Sequence, residues 1–281
     1  MKKILVTGCN GQLGRAINKE YANEDVELIN TDVAELDITD IDAVCEFVMD
    51  KKPDVIINCA AHTNVNACES QWDLAYKINA IGPRNLSIAA TKVGAKMVHV
   101  STDYVFDGTA TEPINEFEEV APLGAYGKTK LEGEKFVKQF ADKFFIIRTA
   151  WLYGDGKNFV RTMISLGKEK EEVGVVADQF GSPTSTKELA KAIHTLEPTE
   201  NYGVFHGTCE GSCSWADFAE RIFELAKLDV KVKRLSTEEY PTPAKRPAYS
   251  VLDNYMLKLT TDFVFANWED ALVEYFNDGL V

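Results

Sequence analysis

Residues 3–17 read KILVTGCNGQLGRAI. An apolar run closes on a threonine, glycines follow at 8, 11 and 14, and a helical pattern begins at about residue 12. The chemistry served by such a strand–turn–helix is close approach. Backbone without side chains lets a pyrophosphate sit against amide N–H groups at a helix N-terminus. Gly8, Gly11 and Gly14, with Asn10, Gln12 and Leu13 between them, are therefore candidate cofactor-binding residues. The usual dinucleotide fingerprint is G-x-G-x-x-G, and here one glycine is moved to give G-x-x-G-x-x-G. Context strengthens it, because an acid, Asp32, lies eighteen residues after Gly14, just past the second apolar run. A carboxylate there can accept hydrogen bonds from an adenosine ribose. It also repels a 2′-phosphate, which favours NADH, while Arg15 just after the loop would partly offset it. Both NADH and NADPH stay open.

The same rhythm continues outward. Apolar runs at 3–7, 26–30, 54–60, 96–101 and 144–150 are mostly continuous rather than alternating, as expected of strands buried on both faces. Helical patterns at about 12–22, 40–51, 69–93 and 126–141 separate them. This predicts an α/β fold, a Rossmann-like doubly wound parallel sheet covered on both sides. Asp37 and Ile38, in LDIT (36–39), either flank an adenine, or Asp37 or Thr39 caps the next helix. CAAHTNV (59–65) ends the third strand in small residues, which leave room for a flat ligand at the sheet crevice.

After about residue 150 the rhythm loosens. NFVRTMISLGKEKEE reads as a helix and VGVVAD (173–178) as a strand. A helix follows SPTST, GVFHGT is a short strand, and SWADFAERIFELAKL is a helix with Ser214 as its candidate cap. A proline-rich stretch, YPTPAKRPAYS (240–250), reads as an ordered loop around a site or as a connector. With no repeat and no low-complexity linker, the second half is expected to fold onto the carboxyl edge of the sheet.

Composition excludes some classes. With 45% hydrophobic residues over 281 positions a sizeable core is available. No apolar run approaches the roughly 18 residues of a membrane span, and the N-terminal run is shorter than the about 7–15 residues of a secretory core. The net charge of −14 repels nucleic acid and anionic lipid. Six scattered cysteines read as reduced thiols of a cytoplasmic protein, and the four histidines show no metal-binding spacing.

The chemistry is concentrated in two further segments. HVSTDYVFDG (99–108) ends the fourth strand and places the Ser101 and Thr102 hydroxyls at the ligand-binding edge. AYGKTK (125–130) places Tyr126 and Lys130 one helical turn apart on one face. Hydride delivery to a ketone carbon makes an alkoxide that needs a proton. A tyrosine can supply it, but its ordinary pKa near 10 is high for neutral pH. A nearby ammonium would lower it, and the Ser/Thr hydroxyl would stabilise the developing charge. On this reading Lys130 tunes Tyr126 and also holds the nicotinamide ribose.

With these residues in view, the chain resembles the extended short-chain dehydrogenases/reductases, and within them the dTDP-4-dehydrorhamnose reductases. The matching segments are GCNGQLG, PDVIINCAAHTNV, STDYVFDG, YGKTKLEGE, RTAWLYG, NFVRTM, QFGSPT and RPAYSVLD, in order and across nearly the whole chain. The resemblance implies two lobes, an NAD(P)-binding Rossmann-like domain at 1–150 and a mainly substrate-binding lobe at 151–281, with some segments returning to the N-terminal sheet. It implies NADPH- or NADH-dependent reduction of the C4 ketone of dTDP-4-dehydro-L-rhamnose, in the supply of cell-surface polysaccharide. Thr102, Tyr126 and Lys130 match the catalytic trio, and Asp103 a substrate contact. Ala60, Ala61 and Thr63 match a segment along the cofactor, and Trp151 a wall of the sugar pocket. Asn158, Arg161 and Arg246 are candidates for the nucleotide diphosphate, since an arginine fork suits phosphate. Related dehydratases carry a second acid after the aspartate, where this chain has Tyr104, so dehydration is disfavoured. A homodimer is left open. Two alternatives remain: a non-catalytic regulatory subunit like the β subunit of methionine adenosyltransferase, and a reductase or epimerase of another nucleotide sugar.

Overall fold

A computed structural model describes residues 1–280. The elements run β1 (Lys2–Thr7), α1 (Gln12–Glu20), β2 (Val26–Thr31), α2 (Ile41–Lys51), β3 (Val55–Asn58), α3 (Val65–Ser70), α4 (Trp72–Tyr76), a π-helical turn (Lys77–Ile81), α5 (Gly82–Val93), β4 (Lys96–Thr102), α6 (Ala125–Phe140) and β5 (Phe144–Thr149). The second half continues with β6 (Leu152–Tyr153), α7 (Phe159–Glu169), β7 (Glu172–Val176), β8 (Phe180–Gly181), β9 (Thr184–Ser185), α8 (Thr186–Leu196), β10 (Gly203–His206), β11 (Cys213–Ser214), α9 (Trp215–Ala226), β12 (Lys231–Leu235), α10 (Tyr255–Thr260) and α11 (Trp268–Asn277). No helix among the described residues is long and apolar enough to cross a membrane.

Six strands form one parallel sheet in the order β2-β1-β3-β4-β5-β10. Continuous apolar runs are what this sheet demands, because side chains alternate between two covered faces. Ile4, Val6, Val55, Ile57, Val98, Phe145 and Ile147 point to one core, beside Ile17 of α1 and Leu189 of α8. Leu5, Ile56, Met97 and Ile146 point to the other, beside Val44 of α2, Leu86 of α5 and Val137 of α6. The strand order reverses between β1 and β3, so the crevice at their carboxyl ends is where an open α/β sheet takes its ligand.

Two details differ from expectation. The helix expected over 69–93 is divided: α3 begins earlier, the chain breaks at Gln71, and a π-helical turn precedes α5. Buried Asn79 of that turn accepts from the His62 amide at 2.8 Å and donates to Thr129 Oγ1 at 3.2 Å, tying the turn to α6. Helix α2 is capped by Asp40, whose carboxylate accepts from the Asp42 and Ala43 amides. Neither Asp37 nor Thr39 caps it. Asp37 Oδ1 instead accepts from Thr39 N and Oγ1 at 2.9 and 2.8 Å, fixing the loop ahead of the helix.

The chain after β5 does not stay apart from the sheet. Strand β10 pairs with β5, with Phe205 opposite Ile147. Smaller pairings, β12 with β7, β8 with β11 and β6 with β9, build the rest. Helix α9 starts with a reciprocal capping box, Ser214 and Asp217 each bonding the other's backbone amide.

Candidate active site

The glycine loop comes first, because its geometry admits nothing else. Gly8 has φ +65°, and a Cβ there would lie 2.8 Å from the Ala60 nitrogen. A Cβ at Gly14 would lie 2.4 Å from the Gly8 carbonyl oxygen. Gly11 occupies the N-cap of α1 and offers no side-chain cap. The first amides of α1 thus stay open to an anion. Beside this loop is a cavity of about 390 Å³ lined by Gly8, Gly11, Asp32, Asp37, Ile38, Ala60, Ala61 and Lys77, among others. Asp32 Oδ2 accepts from the Asn10 amide at 3.2 Å and Oδ1 from the Val33 amide at 2.8 Å. Asn10 itself is exposed and acts through its backbone.

Arg15 takes no part at Asp32. Its guanidinium bonds the Asn10 and Asp155 carbonyls and pairs with the Asp155 carboxylate at 3.3 Å. The cation lining this cavity is Lys77, from the π-helical turn.

A second cavity, of about 630 Å³, shares Gly11, Cys59 and Ala61 with the first and runs on over the sheet edge. It is lined by Gln12, Leu13, Thr63, Thr102, Asp103, Tyr104, Tyr126, Lys130, Trp151, Asn158, Trp215 and Arg246, among others. Residues far apart in sequence therefore meet along one trough.

Within it, Thr102 ends β4, Asp103 opens the 3-10 turn that follows (Asp103–Val105), and Tyr126 and Lys130 line the same trough from the first turns of α6. Thr102 Oγ1 donates to Asp103 Oδ1 at 2.9 Å and accepts from the Tyr104 amide at 3.2 Å. Burial, with the Asp103 charge, pushes the Tyr126 phenol well above its ordinary value, against a smaller downward pull from the Thr102 hydroxyl. The Lys130 ammonium donates to the Val100 carbonyl at 2.7 Å. Burial lowers its pKa to about 8, opposed by Glu134. As folded, Lys130 is a desolvated cation held beside the trough.

Ser101 is likewise turned from the trough's chemistry. Its hydroxyl donates to Glu134 Oε1 at 2.6 Å. Glu134 accepts a two-pronged bond from Arg148, at 2.9 Å from Nε and 2.8 Å from Nη2, in a site closed to solvent. Tyr126, Lys130 and Glu134 follow one another at i, i+4 and i+8 along α6. Removing one partner of a buried pair strands the other charge. Glu134→Ala is therefore expected to cost about 3–5 kcal/mol of stability. The urea midpoint followed by tryptophan fluorescence checks it, and a shift under about 1 kcal/mol would mean that Arg148 finds another partner.

The three diphosphate candidates separate. Asn158 caps α7, accepting from the Arg161 amide at 3.0 Å, while its Nδ2 donates to Gln12 Oε1 at 3.0 Å and the Gly154 carbonyl at 2.7 Å. Its polar atoms are spent on tying α7 to the glycine loop. Arg161 turns to the Leu280 carbonyl at 2.8 Å and to Asp155 at 3.1 Å, and does not line the trough. Of the two arginines only Arg246 reaches it. There its charge draws down the pKa of Tyr104, which burial nevertheless pushes up to about 12, and its buried Nε has no hydrogen-bond partner.

Trp151 carries φ +48°, an unusual conformation for a bulky residue. Its ring stacks on Trp215 with centroids 3.5 Å apart and planes 8° apart. A Cβ at Gly181 would lie 2.5 Å from Trp151 Cε2, so glycine is needed beside the ring.

The sequence alone did not single out Tyr104, Trp215 or Lys77. Tyr104 packs edge-on to Tyr126 at 5.5 Å, and its only signal was its place after Asp103. Trp215 read as one residue of a helix, and Lys77 fell within the helical pattern at 69–93 with nothing to mark it.

Comparison with known proteins follows this geometry. Residues 1–280 match the family model described as the RmlD substrate binding domain. A spore coat polysaccharide biosynthesis protein of Bacillus subtilis (strain 168) is 39% identical, over 99% of this chain and 98% of that protein. The crystal structure of a dTDP-4-dehydrorhamnose reductase from Clostridium acetobutylicum ATCC 824 is 60% identical, with TM-score 0.98, over 99% of this chain and 100% of that one. That of a dTDP-4-dehydrorhamnose reductase from Bacillus anthracis str. Ames, in complex with NADP, is 46% identical, with TM-score 0.97, over 99% and 100%.

Proposed function

The chain belongs to the RmlD substrate binding domain family, with the dTDP-4-dehydrorhamnose reductases, and from that membership we propose how its trough performs their reaction. It is an NAD(P)H-dependent oxidoreductase that reduces the C4 ketone of dTDP-4-dehydro-L-rhamnose to dTDP-L-rhamnose. The observation that carries this is the trough itself, which joins the glycine cradle to Thr102, Tyr126 and Lys130.

The residues present fit the cofactor. The cradle is one that any Cβ at Gly8 or Gly14 would fill, and the uncapped start of α1 suits a pyrophosphate. Asp32 would hold the adenosine ribose, with Asp37 and Ile38 beside the adenine. Ala60, Ala61 and Thr63 would flank the chain of the dinucleotide, and Lys130 the nicotinamide ribose. When bound, NAD(P)H supplies the hydride. Tyr126 gives the proton to the oxygen that develops charge, and the Thr102 hydroxyl lies beside that oxygen. Trp151, backed by Trp215, would form the wall against the sugar. Arg246 would meet the diphosphate, where its unpartnered Nε finds an acceptor. Residues 1–150 would hold the cofactor and 151–281 mainly the substrate, with Gly203–His206 lying in the cofactor sheet; Val281, the last of that lobe, is outside the described residues. The same proposal places the chain in the cytoplasm, where reduced nicotinamide cofactors are held, and leaves its state as monomer or homodimer to light scattering.

The test is oxidation of NADH and of NADPH followed by absorbance with dTDP-4-dehydro-L-rhamnose. Turnover supports the reading, while tight cofactor binding without turnover overturns the substrate assignment. In the same assay Asp32→Ala is expected to raise the ratio of NADPH to NADH efficiency about tenfold, since it removes a charge facing the 2′-phosphate. An unchanged ratio would move the selectivity to Lys77.

A further inference from the structure

Hydrogen directions around Thr102 conflict with the proton delivery the reaction needs. A threonine hydroxyl has one hydrogen to give and two lone pairs to accept with, whereas an ionised carboxylate only accepts. Thr102 gives its hydrogen to Asp103 Oδ1 at 2.9 Å, and one lone pair takes the Tyr104 amide at 3.2 Å. That leaves no Thr102 hydrogen for a substrate oxygen or for the Tyr126 phenol that shares the trough. With Asp103 ionised, the Thr102 hydrogen points to Asp103, away from any substrate oxygen. Asp103 is only 2% exposed, yet it lines the trough and its Oδ2 has no hydrogen-bond partner. A bare, buried carboxylate oxygen is costly, and a neutral carboxyl is much less so.

We propose that Asp103 is a proton-holding positioning residue: protonated, it donates to Thr102 Oγ1, reverses that hydrogen bond and frees the Thr102 hydrogen for the substrate's C4 oxygen, beside the Tyr126 proton. The proposal rests on the reductase reading above. The step balances. Once hydride has reached C4, the C–O π pair takes the Tyr126 proton, while the Thr102 hydrogen bonds the same oxygen and Asp103 keeps its own proton. Tyr126 ends as the phenolate and regains a proton from water when the site opens.

The carboxyl's surroundings agree. Burial raises its pKa to about 6, against the pull of the Ser250 and Thr102 hydroxyls and the Asp103 and Tyr104 amides. The titratable and charged groups around it are Tyr104 on its own turn, Tyr126 and, deeper, Lys130 from α6, and Arg246 of the 240s loop. Raising the pH through about 6 removes the Asp103 proton. So kcat/KM for reduction should fall as pH rises beyond it, by up to about tenfold per unit.

The experiment is the pH profile of kcat/KM from pH 5 to 8 for wild type, Asp103→Asn and Asp103→Ala, with NADPH binding followed by fluorescence as the check on folding. An asparagine amide donates to Thr102 at every pH. Asp103→Asn should therefore lose the descending limb and exceed Asp103→Ala at least about tenfold. Wild type with a flat profile across pH 5.5–7.5 overturns the proposal, whatever the variants do. So does Asp103→Asn that keeps the limb, or that is no better than alanine, because an ionised acceptor is then what the site needs. Wild type that binds NADPH but turns over at no pH counts against the reductase reading, and the proposal falls with it.

Discussion

Tyr126→Phe is expected to lower kcat about 10³-fold, within the range for losing a general acid, while leaving NADPH affinity within a few-fold. The phenol is placed for proton delivery alone. It lies on the first turn of α6, beside Thr102 and edge-on to Tyr104 at 5.5 Å. Burial and the neighbouring Asp103 hold its pKa high, so it keeps its proton until an alkoxide takes it. Phenylalanine preserves the ring and its contact with Cys68, Ala75 and Ala125, so folding should be unaffected. Absorbance assays give kcat, and fluorescence titration gives cofactor affinity. A loss of under about tenfold would mean that another group, or water, protonates the product.

Lys130→Met is expected to lower kcat/KM about 10²–10³-fold, the scale of one preorganised electrostatic contact. The ammonium is 2% exposed and bonded to the Val100 carbonyl at 2.7 Å, so it is fixed and dry. Methionine nearly matches the lysine stem in volume and removes a desolvated charge, so stability should not fall as it would for a broken buried pair. Burial depresses the pKa to about 8. The ammonium is thus present below that pH and lost as pH rises through it, and wild-type kcat/KM should decline there. The variant should lack that alkaline limb. A limb that persists in Lys130→Met would have to belong to another group, and the cation would not be the one the reaction needs.

Much of this arrangement was legible before any coordinates. The buried strands carry unbroken apolar runs, and Gly8 and Gly14 sit where a Cβ would strike backbone. Tyr126 and Lys130 share a face because α-helical periodicity puts them there. What stayed hidden was direction. The acceptor of Lys130 is a backbone carbonyl thirty residues earlier, and a carbonyl leaves no trace in a sequence. Asn158 and Arg161 sit in the first turn of α7, where a cap must bend back to the N3 amide. Counting arginines near a phosphate site could not tell that Arg161 would reach the Leu280 carbonyl instead. Ser101 and Thr102 are adjacent hydroxyls on one strand, so the pleat sends them to opposite faces. One joins Glu134 inside and the other faces the trough. The π-helical turn supplying Lys77 has no local signature at all.

Strand β10 reaches beyond architecture into synthesis. It forms the sheet border beside β5, yet its residues, Gly203–His206, leave the ribosome only after α7 and α8. A nascent chain ending near residue 150 would hold five strands and an unprotected β5 edge, a template for pairing with another chain. The cofactor half cannot be finished until much of the substrate half exists, so the two should ripen together, and an excised N-terminal half should aggregate rather than bind nucleotide.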